Sequence, residues 1–182
     1  MATQDMQDAS VRLLEKVAGM FGGTAPNVYR MLAKNSAALK SFVEMEHALE
    51  TEGQLSAGEQ ALVALEVSVQ AGCKYCEAVF VGEARRHGMA DPSIRAICEG
   101  EMPPEERNRR LVHATRRIAQ TRGQLGRHEI AEFEEGGLNS AQLLEIITIL
   151  SAYTLATFTN NMLQTRIDPE FRLPPGDVCN EP

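Results

Sequence analysis

The sequence predicts an all-α protein, a single antiparallel helical bundle, from three observations. Of its 182 residues, 43% are hydrophobic but only 5% are aromatic and none is Trp, a composition suited to aliphatic packing between helices. Gly and Pro divide the chain into segments of helical length, most of which carry a helix start or stop signal. No segment alternates polar and apolar residues in the way a half-buried strand does. At this length we expect one domain spanning residues 1–182.

Capping residues, glycines and prolines place the predicted helices. The first is expected from about Ala9 to Met20, before two glycines. Ser56 with Glu59 three residues later forms a capping-box pattern that opens a helix ending near Gly72. The other predicted helices are a short one after Pro26, one that starts after Ser36 and stops before Gly53, one from Cys73 to His87, one opened by Asp91 and Pro92 and running to about Glu99, one from Pro104 to Gly123, one from about Arg127 to Glu134, and a long one capped by Ser140. The Pro-rich tail from Asp168 onward is not expected to be helical.

The charge balance argues against nucleic acid as a partner. Lys and Arg total 18 against 25 Asp and Glu, so the net charge is -7 and the overall field repels phosphate backbones. Five arginines cluster between Arg107 and Arg117. We interpret this cluster as the solvated face of an amphipathic helix.

The chain carries no predicted export signal or membrane span. Met1 to Ser10 is polar, and the longest apolar run, Ile146 to Phe158, has thirteen residues, fewer than the roughly 20 that cross a bilayer. We therefore expect a cytoplasmic protein with no membrane partner. In that setting four cysteines do not indicate a disulfide scaffold. Cys98 is interpreted as a core residue and Cys179 as an exposed thiol in the tail.

A Cys-x-x-Cys pair, Cys73 and Cys76, opens a predicted helix directly after Gly72. The free amides and the dipole of a helix N-terminus stabilise a thiolate, and Lys74 adds positive charge nearby. Residues three apart share a helix face, so the two sulfurs can form a disulfide without a large backbone movement. This arrangement is suited to a dithiol switch, in which one thiolate attacks a peroxide or a disulfide and the other resolves the product.

Metal binding and inert packing are the competing interpretations of the pair. A closed zinc site needs about four ligands, but the chain has no second Cys-x-x-Cys and only four scattered histidines, so no metal is expected. Haem attachment is excluded because Glu77, not His, follows Cys76. No cofactor is expected either. Two cysteines buried under a helix without a chemical role remain an alternative, because buried Cys is common.

The residues around the pair resemble the alkylhydroperoxidase D-like branch of the carboxymuconolactone decarboxylase family. The likeness lies in Leu55–Gln60, in Ala71–Cys76 and in the helix that ends at Gly88 and Met89. It extends to Pro26–Arg30 and to Leu143–Asn161, and so covers a core of about residues 21–172. The resemblance implies an all-helical bundle, a homo-oligomer such as a trimer or hexamer, and thiol-dependent reduction of a hydroperoxide or disulfide. It also implies a dithiol protein or a small thiol as the reductant.

The sequence departs from the family pattern at the proton relay. Peroxidase members place a His four residues after the second Cys and a Glu twelve before the first, where this chain has Phe80 and Ala61. The resemblance places Asn161 where the family has its His in the final helix. The resemblance nevertheless assigns Cys76 as the attacking thiolate and Cys73 as the resolving one.

Glu66 is the predicted substitute for the missing relay, because it lies among apolar residues on the helix face that leads to Cys73. The alternative is a structural ion pair between Glu66 and an Arg of another helix. Glu145 lies in a similar apolar setting and has the same two interpretations.

Three functions are compatible with these residues. The leading hypothesis is a thiol-disulfide oxidoreductase with hydroperoxide reductase activity. The second is a redox-sensing or ligand-binding oligomer that has lost the relay His and turns over poorly. A lactone decarboxylase-type lyase is less supported, because family members with that chemistry typically lack the cysteine pair.

Overall fold

The computed structural model describes residues 2–177 and 179, with side chains from Ala9 onward. The described residues form nine α-helices, one 3-10 turn and no strand, so the all-α prediction is confirmed. The helices are α1 (Ala2–Met20), α2 (Asn27–Leu32), α3 (Ser36–Glu52), α4 (Ala57–Gln70), α5 (Lys74–Arg86), α6 (Asp91–Cys98), α7 (Glu106–Thr121), α8 (Arg127–Glu135) and α9 (Ser140–Leu163), followed by the 3-10 turn Pro169–Phe171.

The central helix of the bundle is α4. Every residue from Ala61 to Ser68 is buried, which is the pattern of a helix enclosed on all sides. It packs against α5, α6, α7 and α9, while α3 packs on α9 from the other side and α1 packs on α3. Because α5 follows α4 after a tight turn, the cysteine pair lies beside this enclosed helix.

The observed caps agree with the sequence at α4 and differ elsewhere. Ser56 and Glu59 form the predicted capping box. The final helix, however, is capped by Asn139 and not by Ser140, because only a cap at Asn139 puts Gln142 at the third helical position, where its side chain closes a second capping box. Asp91 also does not cap α6. It lies in the first turn and accepts a hydrogen bond from Arg85. The tail, expected to be irregular, contains the short 3-10 turn.

The arginines of α7 bind other helices, so the interpretation of a merely solvated face was wrong. Arg107 donates to Glu59 of α4 at 2.7 Å, and Arg117 donates to Glu129 of α8 at 2.6 Å. Arg116, only 15% exposed in its side chain, pairs with the buried Glu66 of α4. These pairs join α7 to its neighbours by bonds that the linear sequence does not indicate.

A disulfide joins Cys98, at the end of α6, to Cys179 in the tail, with 5.2 Å between the Cα atoms. The prediction of a core thiol and a separate exposed thiol was therefore wrong, and Cys179 is only 4% exposed. The two residues are 81 positions apart, so no local spacing could reveal the pairing. Arg85 adds an ion pair to Asp177 at 2.7 Å, which fixes the tail at a second point.

Helix α9 is apolar on two sides, only one of which is covered. Its inner side packs on α3, α4 and α7, and its outer side exposes Leu144, Ile147, Phe158 and Met162. With 24 residues and a mean hydropathy of 1.4, it has the length and composition of a membrane-crossing helix. The apolar run predicted from the sequence was thus shorter than the helix itself. Because the buried side carries hydrogen-bonded Glu145 and Asn160, we interpret α9 as a core helix with one uncovered face.

Candidate redox site

Cys73 lies at the junction of α4 and α5 because Gly72 turns the chain sharply there. Gly72 has φ of +60°, a left-handed conformation that favours glycine, and the amide of Cys73 donates back to Ser68 O at 3.0 Å. Cys73 then becomes the N-cap of α5. Its sulfur accepts a hydrogen bond from the amide of Cys76 at 3.5 Å, in the place where a Ser or Asp oxygen usually caps a helix.

The two cysteines are free thiols, buried to 1% and 3% exposure, and they differ in acidity. A hydrogen bond from the Cys76 thiol, with further amide donors, lowers the pKa of Cys73. The same contact, followed by burial, raises the pKa of Cys76. The pKa of Cys73 is thus the lower of the two, and the proton of Cys76 lies in a hydrogen bond between the two sulfurs.

Lys74 does not act on the pair as an isolated positive charge. Its ammonium lies 3.0 Å from the carboxylate of Glu77, which is buried in the first turn of α5. Glu77 raises the pKa of both thiols, so this ion pair offsets the cationic effect expected from the sequence. The helix N-terminus and the thiol contact are what favour ionisation of Cys73.

Asn160 of α9 contacts Cys76. Its side-chain amide donates to the Cys76 sulfur at 3.3 Å, which favours the thiolate form of that residue. Its side-chain oxygen is buried and has no partner among the described residues. The sequence comparison pointed to Asn161, which instead donates to the carbonyl of Ala71 at 2.8 Å. Asn160 and Asn161 are neighbours in the chain, and one residue turns a helix by about 100°, so they point in different directions.

A cavity of about 440 Å³ opens on Cys76. This volume falls within the usual range for sites that hold small organic molecules. Its apolar wall includes Val28, Phe42, Ala61, Phe80, Ile149 and Phe171. Cys76 lines the cavity and Cys73 is not among its lining residues, so a molecule in the cavity meets Cys76 first.

Glu46 of α3 is a carboxyl group on the wall of this cavity that the sequence reasoning missed. Tyr29 donates a hydrogen bond to it at 2.8 Å, and burial raises its pKa to about 7. The sequence contained a sign of this position of Glu46, because the apolar Leu39, Phe42 and Leu49 share its helical face. All three are buried in the structure. An acidic residue on an otherwise apolar stripe indicates a carboxyl in a low-dielectric setting.

Tyr75, between the two cysteines, joins α5 to the tail. Its hydroxyl donates to Asp168 at 2.6 Å and accepts from the amide of Val28 at 3.3 Å. Phe171, one turn beyond Asp168, packs edge-on against the Tyr75 ring with 6.4 Å between centroids and lines the cavity. The tail therefore forms part of the wall around Cys76.

Glu66, the predicted proton acceptor, is fully buried in an ion pair with Arg116. The guanidinium donates to both carboxylate oxygens, at 2.7 and 3.0 Å, and Gln70 donates to one of them. This is the structural alternative foreseen for Glu66. It lines a separate cavity of about 180 Å³ between α4, α7 and α9, and is not on the wall of the Cys76 cavity. A catalytic role for Glu66 stays a prediction.

Residues 36–116, from α3 into α7 and including the cysteine pair, match the sequence model of the carboxymuconolactone decarboxylase family. Over this segment, which is less than half of the chain, the sequence is similar to the carboxymuconolactone decarboxylase family. No curated protein matches the sequence.

Several solved structures share the fold of this chain. An uncharacterized peroxidase-related protein from Silicibacter sp. TM1040 is 18% identical, with a TM-score of 0.75, and the match covers 90% of this chain and 87% of the other. A protein from Ralstonia eutropha JMP134, described as an alkylhydroperoxidase AhpD core, is 21% identical with the same TM-score and coverage. A debrominase in complex with 2,3,4-tribromopyrrole is 16% identical, with a TM-score of 0.67 and coverage of 88% and 86%. At these identities the likeness shows a common fold.

The two positions at which the resembling family places its proton relay are apolar in this chain, and both line the cavity. Phe80 is 8% exposed and packs edge-on against Tyr153 with 4.5 Å between centroids. Ala61 is buried on α4, and both residues line the Cys76 cavity. Among the described residues, no group of three or more His, Cys, Asp and Glu could hold a metal ion.

Proposed function

We propose that the protein is a thiol-disulfide oxidoreductase in which Cys76 and Cys73 cycle between dithiol and disulfide while a hydroperoxide is reduced. The observation that carries the proposal is the pair itself. Two free, buried cysteines are joined by a hydrogen bond from the Cys76 thiol to Cys73, and Cys76 lines an apolar cavity. The peroxidase-related names of proteins with the same fold agree with this chemistry.

The reaction begins when the Cys76 thiol passes its proton to the Cys73 sulfur. The Cys76 thiolate attacks the terminal peroxide oxygen, the O–O bond breaks, and the electron pair leaves on the alkoxide, which takes up one proton to become an alcohol. Cys76 is then a sulfenic acid. The Cys73 thiol attacks it, a disulfide forms, and hydroxyl and proton leave as water. Two thiols are oxidised, the peroxide is reduced to alcohol and water, and a dithiol protein or a small thiol restores the pair.

A redox sensor that closes its disulfide once and turns over poorly is the second candidate. The observation in its favour is the replacement of the family's relay His by Phe80, which places an apolar ring where peroxidase members hold an imidazole. The sensor hypothesis shares the first oxidation with the peroxidase hypothesis and differs only in the steady-state rate with a thiol reductant.

The test is single-turnover oxidation by cumene hydroperoxide, with the Cys73–Cys76 disulfide quantified by mass spectrometry. A Cys98→Ser/Cys179→Ser background leaves only the pair to be counted. We expect oxidation about 100-fold faster than that of free cysteine at equal pH, because the pKa of Cys73 is lowered and its sulfur can take the proton of Cys76 beside the cavity. Cys76→Ser should abolish it, and Cys73→Ser should stop at the sulfenic acid, which a dimedone adduct would reveal. Oxidation no faster than free cysteine, or retained in Cys76→Ser, would overturn the proposal.

A further inference from the structure

The first step of the proposed reaction needs one proton that the cysteine pair does not supply. The pair in its singly ionised form holds one proton, and that proton is consumed when water leaves in the second step. The alkoxide released in the first step must therefore be protonated by another group. Neither Phe80 nor Ala61 can do this, so the donor must be another titratable group on the cavity wall.

The phenols on the wall are unsuitable as donors. Burial raises the pKa of Tyr29, of Tyr75 and of Tyr153, each above the ordinary value of a phenol. Tyr29 and Tyr75 are also committed as hydrogen-bond donors to carboxylates. A phenol with so high a pKa is a weaker general acid near neutral pH than a carboxyl group whose pKa lies near 7.

The charged groups of α5 on the wall lie too far from the sulfur. Glu83, Arg86 and His87 follow Cys76 by 7, 10 and 11 positions, which is about 10–16 Å along a helix. They also bind one another, since Arg86 lies 2.7 Å and His87 3.7 Å from the carboxylate of Glu83. Glu50, one turn beyond Glu46 on α3, is exposed and acts mainly by raising the pKa of Glu46.

We infer that Glu46 is the proton donor of the Cys76 cavity, and that it protonates the alkoxide released when Cys76 cleaves the peroxide bond. This inference rests on the function proposed for Cys76. Glu46 faces the cavity from α3, opposite the helix that carries the sulfur, and Tyr29 orients its carboxyl group with a hydrogen bond of 2.8 Å. Tyr153 lines the same cavity as Glu46 and Cys76.

Burial keeps a useful fraction of Glu46 protonated at neutral pH, because its pKa is raised to about 7. After it gives its proton to the alkoxide, the carboxylate is stabilised by Tyr29 and regains a proton from solvent, to which it is partly exposed. Glu46 would therefore supply from α3 the acid function that a His or Glu on α4 or α5 supplies in relatives of this fold. Tyr29 is a positioning residue in this scheme.

The experiment measures the single-turnover rate with cumene hydroperoxide from pH 5 to 9. In the unchanged protein the rate should fall above about pH 7, as Glu46 loses its proton. Glu46→Gln should lower the rate at pH 6 by about 100-fold, the lower end of general acid catalysis, and remove this descending limb. Tyr29→Phe removes a hydrogen bond that lowers the pKa of Glu46, so the limb should move to higher pH without disappearing. Glu44→Gln, a change at an exposed position of the same helix, is the matched control.

The outcomes separate this inference from the proposed function. If Cys76→Ser is inactive while Glu46→Gln keeps the rate and the descending limb of the unchanged protein, the inference is wrong and the function stands. If Cys76→Ser retains oxidation, the function itself fails. Should Glu46→Gln not fold, the Tyr29→Phe profile decides alone, because an unshifted limb would exclude Glu46 as the titrating group.

Discussion

Two cysteines three positions apart acquire opposite properties because they occupy different places in one helical turn. Cys73 is the N-cap and accepts from the amide of Cys76, whereas Cys76 lies inside the first turn and donates its thiol proton to Cys73. The amide of Asn160 is the contact on Cys76 that favours its thiolate. Reactivity at Cys76 therefore depends on a residue of another helix, 84 positions away.

Replacing Asn160 by Ala should slow the single-turnover oxidation of Cys76 by about tenfold, because a hydrogen bond to a charged group contributes roughly 1.5–3 kcal/mol. The rate with cumene hydroperoxide at pH 7 measures the effect. Asn161→Ala is the matched control, since that side chain binds only a backbone carbonyl in this structure, and its rate should be unchanged. Equal rates for the two variants would exclude Asn160 from the site.

At the scale of single residues, the sequence predicted the pair and its helix start but not its surroundings. Cys73 and Cys76 were recognisable because their spacing and the preceding glycine are local features. Glu66 was placed correctly in an apolar setting, yet its partner Arg116 lies 50 positions away. Glu46 was missed because its role depends on α2 and α9 closing over α3, a relation that periodicity within α3 does not contain.

Elements of this bundle are fixed by contacts at their ends, and the loop before α4 gives the clearest case. The buried carboxylate of Glu145, from α9, accepts from the amide of Gln54 at 2.6 Å, from that of Leu55 at 3.1 Å and from the side chain of Gln60 at 2.8 Å. One side chain thus satisfies donors at the junction of α3 and α4. The structural interpretation of Glu145 fits this geometry.

Glu145→Ala should lower the free energy of unfolding by about 2–4 kcal/mol, because it leaves buried donors of that loop without an acceptor. Urea denaturation followed by circular dichroism measures the change. Glu132→Ala, at an exposed position of α8, is the control and should change stability by less than about 0.5 kcal/mol. A loss below about 1 kcal/mol for Glu145→Ala would mean that solvent replaces the carboxylate.

Most helix positions were predictable to within a few residues because caps and glycines act locally, but α1 begins at Ala2 and not near Ala9. The sequence located α3, α4 and α8 well, through Gly53, through the capping box of Ser56 and through Gly136. The prediction failed where two residues that can cap a helix are adjacent, as at Asn139 and Ser140. Asn139 is the cap because it puts Gln142 at the third helical position, where the Gln142 side chain closes the capping box. The arginines of α7 were misread for a different reason, because a helical pattern does not show which exposed positions face another helix.

At the scale of the whole molecule, the tail is fastened to the bundle at several points. The Cys98–Cys179 disulfide, the Arg85–Asp177 ion pair and the hydrogen bond from Tyr75 to Asp168 hold it. The sequence does not indicate these three contacts, because each joins residues that are far apart in the chain. The disulfide is also unusual for a reducing compartment, so cytoplasmic location stays a prediction.

Cys179→Ser should lower the free energy of unfolding by about 2–5 kcal/mol, as expected for a disulfide that closes a long loop. Urea denaturation without reductant measures the loss. Adding dithiothreitol should destabilise the unchanged protein by a similar amount and leave the variant nearly unaffected. Equal stability of variant and parent without reductant would show that the disulfide does not form in solution.

We propose that the uncovered face of α9 is the surface on which copies of the chain assemble into the homo-oligomer, trimer or hexamer, that the resemblance implies. Leu144, Ile147, Phe158 and Met162 lie within one arc of the helix and are 40–75% exposed. Burying these side chains against another apolar surface removes them from water, which stabilises the assembly. In a monomer this face of α9 would stay in contact with water.

Phe158→Glu combined with Met162→Glu should convert the oligomer to monomer, because charges at the centre of an apolar interface lose hydration without a partner. Light scattering after size-exclusion chromatography measures the mass. Val11→Glu, at an exposed apolar position of α1, is the control and should leave the mass unchanged. A monomeric parent protein would refute the assembly.

The capping role of Cys73 has a consequence for how the protein responds to its own oxidation. Once its sulfur is bonded to that of Cys76, it is a weaker acceptor than a thiolate, and the first turn of α5 loses much of its cap. Closing the disulfide should then loosen the start of α5, which would appear as faster hydrogen–deuterium exchange at the amides of Tyr75 and Cys76. The oxidised form would present the pair to its reductant on a partly frayed segment. The order of the first turn of α5 would then depend on whether the two cysteines are thiols or a disulfide.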